Sequence, residues 1–316
     1  MYTRETYNKV KEEIRRRRDE AHSTVDMREA LLRSKSQEIK EIDTELEKTG
    51  LLIFKTAVSG KDITPIRERN KLLMERRAGV LKKLGYPEDY TSPQYTCKIC
   101  SDSGYTTDGA MCSCMKELLR IESIKASGIG KLIEKQSFDN FDISWYKDGD
   151  EKDRMEYNFI RTREFAENFT AGNGKNLLLI GKTGTGKTHL STAIAKTVIE
   201  KGFSVLYDST QNILSAFESD KFRSVKDDSE FKSEKYLETD LLILDDLGAE
   251  FTTQFTVSCL YNLLNTRYNR GLSTVISTNL SDEELQSKYE DRIFSRLVGQ
   301  DTEILLFVGR DKRVCS

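Results

Sequence analysis

Residues 181–188 read Gly181-Lys182-Thr183-Gly184-Thr185-Gly186-Lys187-Thr188, which is the pattern G-x-x-x-x-G-K-T. An apolar run of strand length, residues 176–180, comes directly before this stretch. Apolar residues at helical spacing follow it over residues 189–200. Glycines between a strand and a helix let backbone N–H groups curl inward, and with the helix N-terminus they form an anion site. The stretch therefore predicts a phosphate-binding P-loop, in which Lys187 reaches the outer phosphates and Thr188 presents its hydroxyl to Mg²⁺.

The rest of the C-terminal half alternates strands with helices. Further strands are predicted at residues 203–207, 241–244, 274–277 and 303–308. Helical patterns fill residues 213–235 and 260–268, between these strands. This alternation predicts an α/β fold with a mainly parallel sheet.

Polar side chains follow two of these strands. Leu244-Asp245-Asp246 ends the third strand with two carboxylates, which is a Walker B pattern. Asp245 is predicted to hold the Mg²⁺ shell and Asp246 to polarise the attacking water. Asn279, after the fourth strand, is predicted to lie beside the γ-phosphate and to orient that water.

Arginines near the C-terminus are candidates for phosphate contacts. Arg292 and Arg296 lie one helical turn apart within residues 291–297. One of them is predicted to be an arginine finger for a nucleotide on a neighbouring subunit, and for Arg292 a surface ion pair with a nearby acid is the alternative. Arg310 and Arg313 are predicted to sense phosphate from the subunit's own side.

Residues 1–85 are rich in Glu, Lys and Arg and nearly free of Pro and Gly, so helix is expected. A short heptad stretch at Val25, Leu32, Ile39 and Leu46 predicts a helical hairpin or coiled coil, with Gly50 and Gly60 expected to interrupt the helix. Its role is either to bind a partner or to pack against the chain's own core. The run of arginines at residues 15–18 is interpreted as a solvated helix face among acidic neighbours, with contact to phosphate as the alternative.

Four cysteines, Cys97, Cys100, Cys112 and Cys114, lie in two close pairs. Such pairs suit a tetrahedral structural zinc site, with a redox dithiol or free thiols as alternatives. The formal net charge of −2 provides no overall field for nucleic acid. The sequence has no apolar run of membrane-spanning length, and its polar N-terminus is unlike a signal peptide, so a cytoplasmic protein is expected.

With these motifs in place, residues from about 135 to 316 resemble the AAA+ ATPase of the DnaC/DnaI helicase loaders and the related IstB transposition helpers. The stretches that carry the resemblance are Phe138 to Phe141, Gly181 to Thr188, Leu244 to Gly248, Ser277 to Asn279 and Asp291 to Leu297.

The resemblance implies a five-stranded sheet of order 5-1-4-3-2, and it places Phe138 to Phe141 on the adenine side. It favours Arg296 as the finger and Arg313 as a second sensor. The catalytic residues that it implies are Lys187, Asp246, Asn279 and Arg296. The nucleotide contacts that it implies are Gly181, Thr183, Gly184, Thr185, Gly186, Lys187, Thr188, His189, Asp245 and Arg313.

The resemblance also implies ATP and Mg²⁺, which join the zinc predicted above as cofactors. The expected domains are a partner-binding helical region (1–94), a zinc knuckle (95–118) and the ATPase (119–316). The expected function is ATP-controlled loading of a DnaB-type replicative helicase onto single-stranded DNA, with self-association through the ATPase. A transposase helper on duplex DNA is the main alternative, and a zinc-containing scaffold with a structural nucleotide is a further one. Single-stranded DNA is expected to contact residues 213–235, although acidic residues there offset the basic ones.

Overall fold

The computed structural model describes residues 2–147, 149–222, 231–289 and 291–312. The chain forms two compact units, one of Lys11–Met115 and the other of Met1–Val10 with Lys116–Ser316. The structure thus groups the cysteine segment with the N-terminal helices. The predicted boundaries at residues 94 and 118 remain a prediction. No described helix offers a run long and apolar enough to cross a membrane.

The smaller unit is built on three long helices: α1 (Arg4–Lys35, which begins in the larger unit), α2 (Gln37–Val58) and α3 (Thr64–Lys83). The predicted heptad residues Leu32 and Ile39 are fully buried with residues of α3. The heptad does not follow one continuous helix, because Ser36 adopts an extended backbone and caps α2. Gly50, expected to interrupt the helix, lies inside α2, whereas Gly60 with φ of 66° follows its end. The predicted helical hairpin is therefore present as α2 and α3.

A buried carboxylate joins these helices. Asp43 accepts hydrogen bonds from Arg77 at 2.7 Å and from Arg33 at 3.2 Å. Removing one partner of such a pair destabilises the packing of these helices, because it leaves a buried charge uncompensated. The arginines of the 15–18 run behave as expected of a solvated face, since Arg16 and Arg17 both pair with Glu13 on the same helix.

The larger unit contains the predicted parallel sheet. Its strands are β1 (Asn176–Gly181), β2 (Val205–Ser209), β3 (Leu241–Leu247), β4 (Ser273–Thr278) and β5 (Thr302–Phe307). Every described pairing is parallel, and the order β2-β3-β4-β1-β5 is the predicted order read from the other edge. The fold class is confirmed.

Helices cover both faces of this sheet. They are α4 (Ser113–Ala126, which begins in the smaller unit), α5 (Leu132–Lys135), α6 (Asp150–Glu167), α7 (Lys187–Glu200), α8 (Thr210–Lys221), α9 (Glu234–Glu238), α10 (Gln254–Asn269), α11 (Asp282–Lys288) and α12 (Asp291–Leu297). One buried cluster includes residues of α6 and α7, and the other includes residues of α8, α10 and α12. The apolar runs of β1 and β3 are buried on both faces, and β4 is buried throughout although four of its six residues are Ser or Thr. Their carboxyl ends therefore meet at one edge of a rigid sheet.

Candidate functional site

The P-loop runs from the end of β1 to the start of α7. Gly186 has φ of 101°, and a Cβ built there would lie 2.5 Å from the hydroxyl of Tyr146. Only glycine combines that backbone conformation with such a close neighbour. The first amides of α7 are left without helical partners, so this end of the helix suits an anion.

Lys187 is buried, and its ammonium group lies inside the loop. It donates to Asn279 Oδ1 at 2.8 Å, to Lys182 O at 2.9 Å and to Gly181 O. Lys187 and Asn279 are far apart in the sequence, and the tertiary fold places them in direct contact. The ammonium group is held where the outer phosphates of a nucleotide would need a cation.

The end of β3 departs from regular strand geometry. Its pairing with β4 shifts register between Leu244 and Leu247, and Asp246 has φ of 59°. Successive strand residues normally point to opposite faces. A bulge redirects them, and here Asp245 and Asp246 both line the same cleft.

Asn279 connects the P-loop to this acidic pair. Its amide nitrogen donates to Asp246 Oδ1 at 2.8 Å, while its oxygen accepts from Lys187. Ser277 donates to Asp245 Oδ1 and accepts from the N–H of Asp246 at 3.0 Å. The carboxylate of Asp245 is thus oriented by Ser277 on β4, and that of Asp246 by Asn279, the residue that follows β4. Such an arrangement can hold a divalent cation through Thr188 and Asp245 and can accept a proton from a water at Asp246.

These groups surround a cleft of about 450 Å³. Its lining residues are Gln136, Asn140, Phe141, Asp142, Trp145, Tyr146, Thr183, Gly184, Thr185, Gly186, Lys187, Thr188, His189, Asp245, Asp246, Ser277, Asn279 and Lys312. Of the four residues expected on the adenine side, Asn140 and Phe141 line the cleft. Phe138 instead packs edge-on against Phe159.

One side of the cleft is aromatic. Phe141 stacks on Tyr146 with ring centroids 5.9 Å apart, and its edge contact with His189 has centroids 5.0 Å apart. His189 also lies 3.0 Å from the carbonyl of Ser137 and 3.1 Å from Asn140 Oδ1. An aromatic wall beside a phosphate loop suits a nucleoside base.

Two residues that the sequence analysis did not identify hold the P-loop. Tyr146 donates to the carbonyl of Thr185 at 3.1 Å, and burial, with a smaller effect of Glu151, raises the pKa of Tyr146 to about 12. Lys312 donates its backbone N–H to Gly184 O at 3.0 Å, and its ammonium lies 4.6 Å from the Tyr146 ring centroid. No sequence motif marks either residue, because both act through contacts that only the tertiary fold creates.

The candidate arginines are not among the lining residues of this cleft in the described part of the chain. Arg296 donates to Asn265 Oδ1 at 3.0 Å and lies over the ring of Tyr268, 4.5 Å from its centroid. Arg292 is exposed and makes no ion pair with a described residue, and Arg310 is exposed. Arg313 lies outside the described residues.

The segment expected to contact DNA is described only in part. Phe217 packs against the core, whereas Phe222 is exposed and lies beside Lys221, 5.7 Å from its ammonium group. Residues 223–230, which include several of the charges noted in the sequence, lie outside the described residues.

The four clustered cysteines converge in the smaller unit. All four sulfur atoms lie within 4.8 Å of one another. Cys97 and Cys112 are 3.8 Å apart, and Cys100 and Cys114 are 3.5 Å apart. In a tetrahedral site with Zn–S bonds of about 2.3 Å, the sulfur atoms are about 3.8 Å apart. The sulfur arrangement fits a zinc ion.

The backbone around the cysteines supports this geometry. Asp102, which is buried, accepts from the N–H groups of Thr96 at 2.7 Å and Cys97 at 2.9 Å. Burial of the Cys100 thiol opposes ionisation, but the N–H of Gly104 and the neighbouring thiols outweigh it and lower the pKa of Cys100 to about 7. These hydrogen bonds hold the backbone at Thr96 and Cys97 next to the cluster of sulfur atoms.

Comparisons with known proteins identify the family of this chain. The sequence profile of the family described as "IstB-like ATP binding protein" matches residues 120–299. The replicative helicase loader DnaC of Escherichia coli (strain K12) is 28% identical over 171 residues, which are 54% of this chain and 66% of the relative. A putative insertion sequence ATP-binding protein of Sinorhizobium fredii (strain NBRC 101917 / NGR234) is 36% identical over 106 residues, 34% of each chain. A crystal structure of the DnaC helicase loader aligns with a TM-score of 0.49 and 25% identity, over 57% of this chain and 100% of that one.

Proposed function

This chain belongs to the IstB-like ATP binding protein family of AAA+ ATPases, and from that premise we propose that it is an ATP-controlled loader of a replicative helicase. It is an ATP-binding ATPase. The proposed partner is a hexameric helicase of the DnaB type, which the protein would deliver to single-stranded DNA. This finer assignment is supported by the similarity to the loader DnaC, of which the chain spans 66%.

We assign the nucleotide chemistry to the residues of the cleft. Lys187 and the amides of the P-loop bind the phosphates, and the aromatic wall with Phe141 contacts the base. Thr188 and Asp245 provide the oxygen ligands and hydrogen-bond acceptors that Mg²⁺ and its waters require. Asp246 accepts the proton of the attacking water, oriented by Asn279. The network of Lys187, Asn279 and Asp246 supports this assignment. The Asn279 side chain contacts both the ammonium group of Lys187 and the carboxylate of Asp246, the proposed general base.

Arg296 is proposed to complete the site of a neighbouring subunit. Its position outside the cleft of its own chain agrees with such a role in trans. Self-association through the ATPase unit follows from this proposal, because the finger then reaches a nucleotide only in an assembly.

We also propose that Cys97, Cys100, Cys112 and Cys114 bind one structural zinc ion. A closed site with four thiolates leaves no open position for catalysis. Its proposed role is to stabilise the loop that precedes α4.

An apolar stripe on the smaller unit supports a protein partner. Leu51, Phe54 and Val58 lie on one face of α2, at spacings of three and four residues, and are 64–75% exposed. A group of large exposed apolar side chains on one helix face is typical of a protein-binding surface. We assign the helicase contact to this stripe.

The test is capture of the host replicative helicase by the full-length protein, with ATP and with ADP. A Phe54→Ser, Val58→Ser double variant removes the stripe. The matched control is Met27→Ser with Leu31→Ser, which removes two exposed apolar residues from α1. We expect capture by the wild type and the control and at least tenfold weaker capture by the stripe variant.

Two outcomes contradict this assignment. Equal capture by all three proteins would place the contact elsewhere on the chain. Absence of capture in both nucleotide states, together with ATP-dependent assembly on duplex DNA, would favour the transposase helper. That second function is supported by the family profile and by the similarity to an insertion sequence protein.

A further inference from the structure

The carboxylate of Asp245 is held from two sides by hydroxyl groups. Tyr207 donates to Asp245 Oδ2 at 2.6 Å, and Ser277 donates to Oδ1. An ionised carboxylate has about four acceptor positions, so two hydroxyl donors leave room for the water shell of a cation. The plane of this carboxylate is therefore fixed while part of its acceptor capacity remains.

The position of Tyr207 is itself fixed by the backbone. It lies on β2 opposite Ile243, two residues before the partner of Asp245 in the β2–β3 register. Its N–H donates to the carbonyl of Ser127 at 2.7 Å, and a Cβ at Gly128 would lie 2.5 Å from its carbonyl oxygen. The strand is thus held on both edges at this residue.

The phenol donates to Asp245, one of the two groups assigned to Mg²⁺. Thr188, the other group, lines the same cleft as Asp245. A threonine hydroxyl and a carboxylate in one cleft form an all-oxygen set, which is what Mg²⁺ prefers. The phenol hydroxyl thus donates a hydrogen bond to the carboxylate that is assigned to the cation.

We propose that Tyr207 is a positioning residue for the magnesium-bound nucleotide, fixing the Asp245 carboxylate in the orientation that the water shell of the cation requires. This inference rests on the proposed assignment of Mg²⁺ to Thr188 and Asp245. Tyr207 contacts neither the nucleotide nor the cation in this role. It acts through Asp245, because a preorganised carboxylate loses less conformational freedom when the cation binds.

The same unit offers a matched control for this bond. Tyr236, which is buried, donates to Asp208 Oδ2 at 2.7 Å, and neither Tyr236 nor Asp208 lines the cleft. A Tyr→Phe change at Tyr207 or at Tyr236 removes one phenol–carboxylate hydrogen bond and leaves the ring in place. Only the first bond involves Asp245.

The experiment measures the affinity of full-length protein for a fluorescent ADP analogue, in excess Mg²⁺ and in EDTA. The ratio of the two affinities is the enhancement by magnesium. We expect Tyr207→Phe to bind within twofold of wild type in EDTA, with the enhancement reduced about tenfold, or about 1.4 kcal/mol. Tyr236→Phe should match the wild type in both conditions. Ser277→Ala, which frees the other carboxylate oxygen, should also reduce the enhancement.

Each contrary result has a distinct meaning. An unchanged or larger enhancement in Tyr207→Phe would show that the phenol only packs or competes with the cation, and the inference would be wrong. If wild-type binding does not depend on magnesium, the proposed Mg²⁺ assignment is wrong and the inference falls with it. If Tyr207→Phe is unfolded by circular dichroism, an unchanged enhancement in Ser277→Ala overturns the inference instead.

Discussion

The substitution Asp246→Asn removes the charge of one carboxylate and keeps nearly the same side-chain shape. Asp246 Oδ1 accepts from Asn279 at 2.8 Å, and its backbone has φ of 59°. Asparagine keeps an oxygen acceptor for Asn279 and tolerates this left-handed conformation. The substitution therefore preserves the local structure and removes the proton acceptor.

The expected loss follows from the role of that carboxylate. Among the described residues, the other oxygen of Asp246 accepts no hydrogen bond, so it is available to the attacking water. A positioned general base contributes about 10²–10⁴-fold to a rate, which corresponds to about 3–5 kcal/mol. We expect ATP hydrolysis in a single-turnover phosphate-release assay to fall by at least about 100-fold. Affinity for ATP should stay within about twofold of the wild-type value, because the ground-state contacts are retained.

Asp208→Asn is the matched control for this measurement. Asp208 is likewise a carboxylate near the end of a strand, where it accepts from Tyr236 and Asn212, and it does not line the cleft. The Asp208→Asn variant should hydrolyse ATP at the wild-type rate. Hydrolysis by Asp246→Asn at that same rate would refute the reasoning, as would an equal loss of ATP binding and hydrolysis.

Two further predictions concern stability and metal content. Arg267 is fully buried and makes four hydrogen bonds to described residues, three of them to backbone carbonyls. Arg267→Met should lower the free energy of unfolding in urea by about 3–5 kcal/mol, because those acceptors lose their donor, whereas Arg270→Met at an exposed site should change it by less than about 0.5 kcal/mol. Wild-type protein should contain one zinc ion per chain by atomic emission, and Cys112→Ser should contain almost none, because serine is a poor replacement for a thiolate. The control Cys259→Ser should keep its zinc, and retention of zinc by Cys112→Ser would contradict the four-cysteine assignment.

Much of the fold was predictable from local patterns. The apolar runs of β1 and β3 are buried in the structure, and the P-loop pattern places β1 before α7. The strand order came from the family resemblance rather than from periodicity. Errors occurred where tertiary packing overrides a local signal, as at Gly50, which the pairing of α2 and α3 keeps helical.

The sequence by itself determined the residues whose chemistry depends on local spacing. Lys187 and Thr188 follow glycines that can curl, and Asp245 and Asp246 follow an apolar strand, so a linear pattern identifies them. The four cysteines are identified in the same way, because a short loop can bring two close pairs together.

Only the tertiary structure decided how these groups act together. The bulge in β3 directs both Asp245 and Asp246 into one cleft, although neighbouring strand residues normally face opposite ways. Tyr207 orients a carboxylate 38 positions away and Lys312 holds a loop that lies far before it in the sequence. Such contacts join distant parts of the chain at the carboxyl edge of the sheet. No periodicity or motif encodes them, because they depend on which strands lie side by side.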